Sequence, residues 1–364
     1  MPNFYKLEQQ IEGQMKAARV PGLALAVVQN QEVIYARGFG VTSVEDGGAK
    51  VTPSTLFRIG SITKPLTGTA VMQLVESGKL DLDKPIKEYI DWFTLSEPGF
   101  ADSLTLRMLM SHTAGLAADA KHFGSRDPDG LEMYVREEIP RYPLIAPPGK
   151  LHLYSNPGIS LVGYIAEVVS GKPFTELMQH LVFEPLEMQR TTFDPTVAMT
   201  YSLAQSHNLS EDGTLNVEHR FADNVAYYPA GFAMSTVLDL ANFAMMQMNQ
   251  GRFLDKQVLS LQSVIEMQTV QADCYTTTGT GYGLTFLIEP YKEIRQVGHD
   301  GGISTFGSSL VMVPDAGVAV VMLFNRASDF FATSLKFVNH IFDQLLNLPQ
   351  ETPKPQAVEP ERSL

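Results

Sequence analysis

The chain has 364 residues, 44% of them apolar and 18% charged, so it can bury a sizeable core and is not a disordered polyelectrolyte. With 40 acidic against 27 basic residues its formal charge is −13, which repels phosphate backbones and anionic bilayers and argues against nucleic-acid binding. The single cysteine, Cys274, excludes an internal disulfide framework and a cysteine-built zinc site.

Phe4–Ala18 places Leu7, Ile11, Met15 and Ala18 at helical spacing and predicts an amphipathic helix. It is not the basic segment followed by an apolar stretch that marks a signal peptide, and no run of about 18 apolar residues follows anywhere. The expectation is a soluble protein without a membrane span, cytoplasmic as the sequence stands, or periplasmic or secreted if it is a mature form. Leu23–Val28 and Val33–Arg37 predict a hairpin turning at Gln29–Glu32, and Leu56–Ile59 a short strand. Ser61–Ser77 reads as a helix stopped by Gly78. From about residue 79 to 224 the texture changes to helices and Pro/Gly/Asp-rich loops, with candidates at Leu104–Ser111, Gly130–Glu138, Gly158–Ser170 and Phe174–Phe183. Asp239–Asn249 is a further helix. Strands return at Gly283–Glu289, Ile294–His299, Gly307–Val313 and Val318–Phe324, followed by a helix at Ala332–Leu346 and a loose Pro-rich tail. The pattern predicts an α/β (α+β) sheet domain, residues 1–80 and 225–348, interrupted by a mainly helical lobe, 81–224, with 349–364 as tail.

Three segments could carry chemistry. In Ser61-Ile62-Thr63-Lys64 a serine three residues before a lysine shares its helix face, roughly 5–6 Å apart at Cβ. The helix is apolar around much of its circumference, so burial would lower the lysine pKa, as a proton acceptor needs. Pro65 is tolerated only in a first helical turn, which puts Ser61 at the helix N-terminus, where the partial positive charge favours an oxyanion. Such a pair alone is expected about once by chance in this length. Tyr154-Ser155-Asn156 offers a phenol for proton shuttling and an amide for a substrate carbonyl, or simply a turn before Pro157-Gly158. His299-Asp300-Gly301-Gly302 ends a predicted strand, with glycines that permit close backbone approach; His122-Phe123-Gly124 fits the same loose pattern.

Together these segments resemble the penicillin-recognising serine hydrolases of the class C β-lactamase type. Phe57–Lys64, Leu109–Leu116, Tyr154–Gly158, Pro229–Phe232 and Gly298–Gly302 carry the likeness, which spans roughly residues 5 to 345. The resemblance implies an antiparallel sheet flanked by helices with an inserted all-helical lobe. It implies Ser61 as nucleophile, Lys64 as its proton acceptor and Tyr154 as a second acid/base. Asn156 and His299 would contact substrate, while Gly301 and Gly302 shape the oxyanion hole from the backbone N–H groups of Ser61 and Gly302. Asp300 departs from the usual threonine, and Ser111-His112-Thr113 reads as a helix end with structural hydrogen bonds.

The implied activity is an acyl-enzyme hydrolase of esters, amides or short peptides, of carboxylesterase or D-peptidase type. β-Lactamase activity is the alternative, and non-catalytic peptide or glycan recognition on a penicillin-binding scaffold is the second. No cofactor or metal is called for. The absence of Gly-x-Ser-x-Gly and His-Glu-x-x-His argues against an α/β-hydrolase and a zinc peptidase.

Overall fold

The computed structural model describes residues 4–45, 47–119, 125–276, 278–327 and 330–349, with Pro98 described in its backbone only. The His122-Phe123-Gly124 motif and all of the tail beyond Pro349 lie outside the described residues. The N-terminal helix α1 (Phe4–Ala17) buries Leu7, Ile11 and Met15, as its spacing predicts. It leads into a hairpin of β1 (Gly22–Gln29) and β2 (Glu32–Gly40). The two linking residues, Asn30 and Gln31, have φ of 51° and 67°. Two successive left-handed residues make the turn whose twist suits a tight hairpin.

The rest of the sheet comes from the far end of the chain: β3 (Ala272–Asp273), β4 (Gly281–Tyr282), β5 (Leu287–Tyr291), β6 (Ile294–Ile303), β7 (Phe306–Val313) and β8 (Val318–Phe324). All eight strands pair antiparallel in the order β2-β1-β8-β7-β6-β5-β4-β3, so the first hairpin docks on the last strand. Both faces are covered. On β1, Leu23, Leu25 and Val27 join Val320, Met322 and Phe324 of β8 under α1 and the C-terminal helix α5 (Phe330–Leu346). The alternate residues, Ala24, Ala26, Ala319 and Val321, belong to the larger core that also takes in α2 (Thr63–Glu76) and α4 (Val237–Met248). This is the two-residue strand period at work, and the alanines let α4 approach closely.

The middle of the chain supplies α3 (Asn156–Ser170) and several short helices. Two helices predicted as continuous change pitch: Gly130–Met133 runs into a wider i→i+5 turn at Tyr134–Glu138, and Phe174–Met178 does so at Gln179–Phe183. The strand predicted over Gly283–Glu289 is also broken. Thr285 has φ of 66°, and its N–H bonds to the Met110 carbonyl at 2.9 Å, while that of Leu284 bonds to Met267 at 3.0 Å. The backbone there leaves the sheet to satisfy carbonyls of the helical region, a tertiary pull that side-chain alternation does not register.

Candidate active site

Strand β6 and the turn before α2 are pressed together, and glycine makes this possible. Gly60 has φ of 50°, and a Cβ there would lie 2.6 Å from the Gly302 nitrogen. A Cβ on Gly301 would lie 2.1 Å from the Ile59 carbonyl oxygen. Ser308, opposite Gly301 on β7, donates its hydroxyl to that same Ile59 carbonyl at 2.7 Å. Thr63 donates to the Gly60 carbonyl at 2.7 Å and fixes the turn Gly60–Ile62. Ser61 is thereby held at the start of α2 beside the Gly301-Gly302 backbone.

Lys64 is fully buried, and its Nζ lies 2.9 Å from Ser61 Oγ, 2.7 Å from Asn156 Oδ1 and 2.6 Å from the Ala230 carbonyl oxygen. Burial pushes its pKa down to about 7, opposed in part by the Asp119 carboxylate. The partners fix where the protons sit. Asn156 donates Nδ2 to Asp119 at 2.7 Å, so its Oδ1 faces the lysine. A neutral amine then gives its two protons to Asn156 Oδ1 and the Ala230 carbonyl, neither of which can donate. The remaining lone pair points at Ser61 Oγ, whose hydroxyl donates to it. Because Asp119 favours the charged lysine, Asp119→Asn is expected to move the acid limb of any Lys64-dependent rate to lower pH, by less than about one unit at this exposed position. A limb that stays put or moves to higher pH in parallel rate profiles would contradict this assignment.

Tyr154 lies just before α3, on a segment anchored from both sides. Asn156 N–H bonds to the Ala118 carbonyl, and Ser155 caps α3 through its Oγ while donating to Ala117. The Lys64 Nζ stands 4.7 Å from the Tyr154 ring centre. Burial raises the phenol pKa, outweighing the opposing hydrogen bond with Ser61, and Asp119 adds to the rise. Tyr154 therefore stays protonated where Lys64 is already half neutral, which suits it to give a proton rather than to take one first.

His299 shares the face of β6 that carries Val297 and Gly301, whereas Asp300 points to the opposite face. Burial and then the Lys64 charge bring the His299 pKa down to about 3. Its Nδ1 sits 2.5 Å from the Asp300 carbonyl oxygen and its Nε2 3.0 Å from the Tyr282 hydroxyl. Both ring nitrogens are therefore engaged within the protein. Asp300 is half-buried, and desolvation raises its pKa to about 6.

Sequence reasoning missed two members of this cluster. His112, taken for a helix-end residue, packs its ring 4.3 Å from Tyr154 and 4.7 Å from Tyr282. Tyr282 is fully buried and carried no sequence signal beyond strand propensity. Cys274 Sγ lies 3.9 Å from His152 Nε2, but burial raises the thiol and lowers the imidazole, so no thiolate–imidazolium pair forms. Among the described residues no group of three or more His, Cys, Asp or Glu side chains could hold a metal ion, and no helix is long and apolar enough to cross a membrane.

Comparison with known proteins covers most of the chain. The Beta-lactamase family model matches residues 7–339. Penicillin-binding protein 4 of Amycolatopsis lactamdurans is 31% identical over 333 residues, covering 90% of this chain and 85% of that protein. Protein flp of Staphylococcus aureus is 24% identical over 343 residues, covering 93% of this chain but only 65% of the relative. Among solved structures, the octameric penicillin-binding protein homologue from Pyrococcus abyssi superposes with a TM-score of 0.80 at 26% identity, covering 95% of this chain and 78% of that one.

Proposed function

The chain belongs to the Beta-lactamase family of serine hydrolases, and from that premise we propose that it hydrolyses esters, or amides and peptides of D-residues, through an acyl-enzyme on Ser61. The carrying observation is the Ser61–Lys64 pair, 2.9 Å apart, with both protons of the neutral amine committed elsewhere. Lys64 takes the Ser61 proton as Oγ attacks the acyl carbon. The Ser61 and Gly302 N–H groups hold the oxyanion, and Tyr154 protonates the leaving group. Water then attacks the acyl-enzyme by the same route in reverse. The competing non-catalytic scaffold would lack covalent turnover. Labelling by a fluorophosphonate that is lost in Ser61→Ala separates the two, and an unlabelled wild-type protein would favour the scaffold.

The substrate reading rests on charge. A β-lactam presents a carboxylate, and β-lactamases of this superfamily usually have a lysine at the position of His299. His299 here is neutral and has no free N–H in this arrangement, since Nδ1 and Nε2 are both occupied. Asp119 adds an anionic group beside Asn156. Both features favour neutral acyl groups over anionic ones. The expected result is a kcat/KM for p-nitrophenyl acetate or butyrate, or for D-alanyl p-nitroanilide, well above that for nitrocefin near neutral pH. Nitrocefin outrunning all of them would make this a β-lactamase despite His299.

A further inference from the structure

One chain of buried hydrogen bonds links the segment carrying Tyr154 to strand β6. The Ser155 N–H lies 3.2 Å from His112 Nδ1, His112 Nε2 3.1 Å from the Tyr282 hydroxyl, that hydroxyl 3.0 Å from His299 Nε2, and His299 Nδ1 2.5 Å from the Asp300 carbonyl oxygen. Its ends fix its direction. A backbone N–H can only donate and a carbonyl can only accept. His112 Nδ1 is therefore the bare nitrogen and Nε2 carries the proton, which goes to the Tyr282 oxygen. Tyr282 donates to His299 Nε2, leaving the His299 proton on Nδ1 for the Asp300 carbonyl. Only one arrangement of protons satisfies every member, and it requires both imidazoles to be neutral.

His112 also grips Tyr154 from both sides in sequence. Its carbonyl accepts from the Leu153 N–H at 2.7 Å and its Nδ1 from the Ser155 N–H, while its ring packs on the phenol between them. This grip is held in an unfavourable backbone state: His112 has φ of 58°, a region that strains a residue with a Cβ. The His112 ring is in turn oriented by Tyr282, and the same stretch of chain is tied again to the helix before His112 by the Thr285 N–H on the Met110 carbonyl.

We propose that Tyr282 is a positioning residue for the reaction, acting through His112 to hold Tyr154 at Ser61 and fixing His299 so that it presents no N–H to substrate. The proposal rests on the acyl-enzyme reading, in which Tyr154 transfers the leaving-group proton. It goes beyond that reading in assigning roles to Tyr282 and His112. A misaimed phenol slows chemistry more than it weakens binding.

The test has one arm that needs no turnover. Long-range proton–nitrogen spectra of the histidine-labelled wild-type protein at pH 7.5, assigned with His112→Gln and His299→Gln, should show His112 as the Nε2–H tautomer and His299 as the Nδ1–H tautomer. A doubly protonated ring, or the opposite tautomer at either site, would overturn the chain. In the kinetic arm, Tyr282→Phe should lower kcat for D-alanyl p-nitroanilide, whose amine must be protonated to leave, roughly 10- to 100-fold with KM changed less than about threefold. His112→Gln, which keeps a donor near the Nε2 position, should retain at least about tenfold more kcat than His112→Leu. An unchanged kcat in Tyr282→Phe, or equal losses in the two His112 variants, would refute positioning. Fluorophosphonate labelling of wild-type Ser61 is scored separately. Its failure removes the acyl-enzyme reading, whereas labelled protein with indifferent Tyr282 and His112 variants removes only this inference.

Discussion

Ser61→Ala is expected to lower turnover roughly 10⁴-fold or more, because a nucleophile and its proton acceptor act as one unit and removing either forfeits most of what both contribute. The geometry makes the loss specific. Lys64 keeps its bonds to Asn156 and Ala230 when Oγ is gone, so the amine stays where it is with its lone pair facing an empty position. The Gly60 turn is held by Thr63 and Ser308 rather than by the Ser61 side chain, so the backbone around residue 61 should not move. The variant should therefore fold with a stability change of at most about 1 kcal/mol, the worth of one ordinary hydrogen bond. Intact-mass spectrometry of wild-type protein quenched during ester turnover should show an acyl adduct, and peptide mapping should place it on Ser61. Full activity in the alanine variant, or an adduct on another residue, would remove the mechanism.

How much of this site was readable in the sequence depends on the range of the interactions involved. Ser61 and Lys64 are local: one turn of spacing, an apolar circumference and Pro65 near the N-terminus predict a buried lysine beside a serine at the helix start, and Lys64 is buried with its Nζ 2.9 Å from Ser61 Oγ in the turn before α2. The strands of the sheet were legible because β1, β7 and β8 read as short, nearly continuous buried runs rich in aliphatic residues, as strands whose two faces both pack on helices must. The break at Gly283–Phe286 was not, since carbonyls of Met110 and Met267, remote in sequence, draw that backbone away. Tyr282 and His112 stayed hidden for a related reason. Each looks like an ordinary strand or helix-end residue, and their roles arise only when segments 170 residues apart meet. The occupancy of both His299 nitrogens is likewise a property of neighbours, which no motif could report.

Lys64→Arg should be nearly as inactive as Ser61→Ala, although it keeps a cation at the same place. Guanidinium cannot give up its proton in a protein, so it cannot accept one from Ser61, and its planar fork does not fit three oxygens arranged around a single ammonium-sized point. The wild-type pH profile carries the same argument with a definite sign. Burial disfavours the charged amine and brings its pKa down to about 7, so the base form is scarce below that pH and dominant above it. Activity should rise with pH, gaining close to tenfold per unit well below neutrality, reaching half its plateau near pH 7 and flattening above about pH 8. Since Lys64 and Tyr154 share Ser61, the observed midpoint belongs to the coupled pair. Tyr154 cannot supply this limb by itself, because burial moves its phenol upward, away from neutrality. A rate that climbs only near pH 10 would mean that the lysine stays charged throughout and another group takes the proton. An arginine variant with substantial kcat would show that position 64 contributes charge alone. With both results as expected, the deprotonated Lys64 amine is the base that activates Ser61, and its burial, which disfavours the ammonium, is what makes it one.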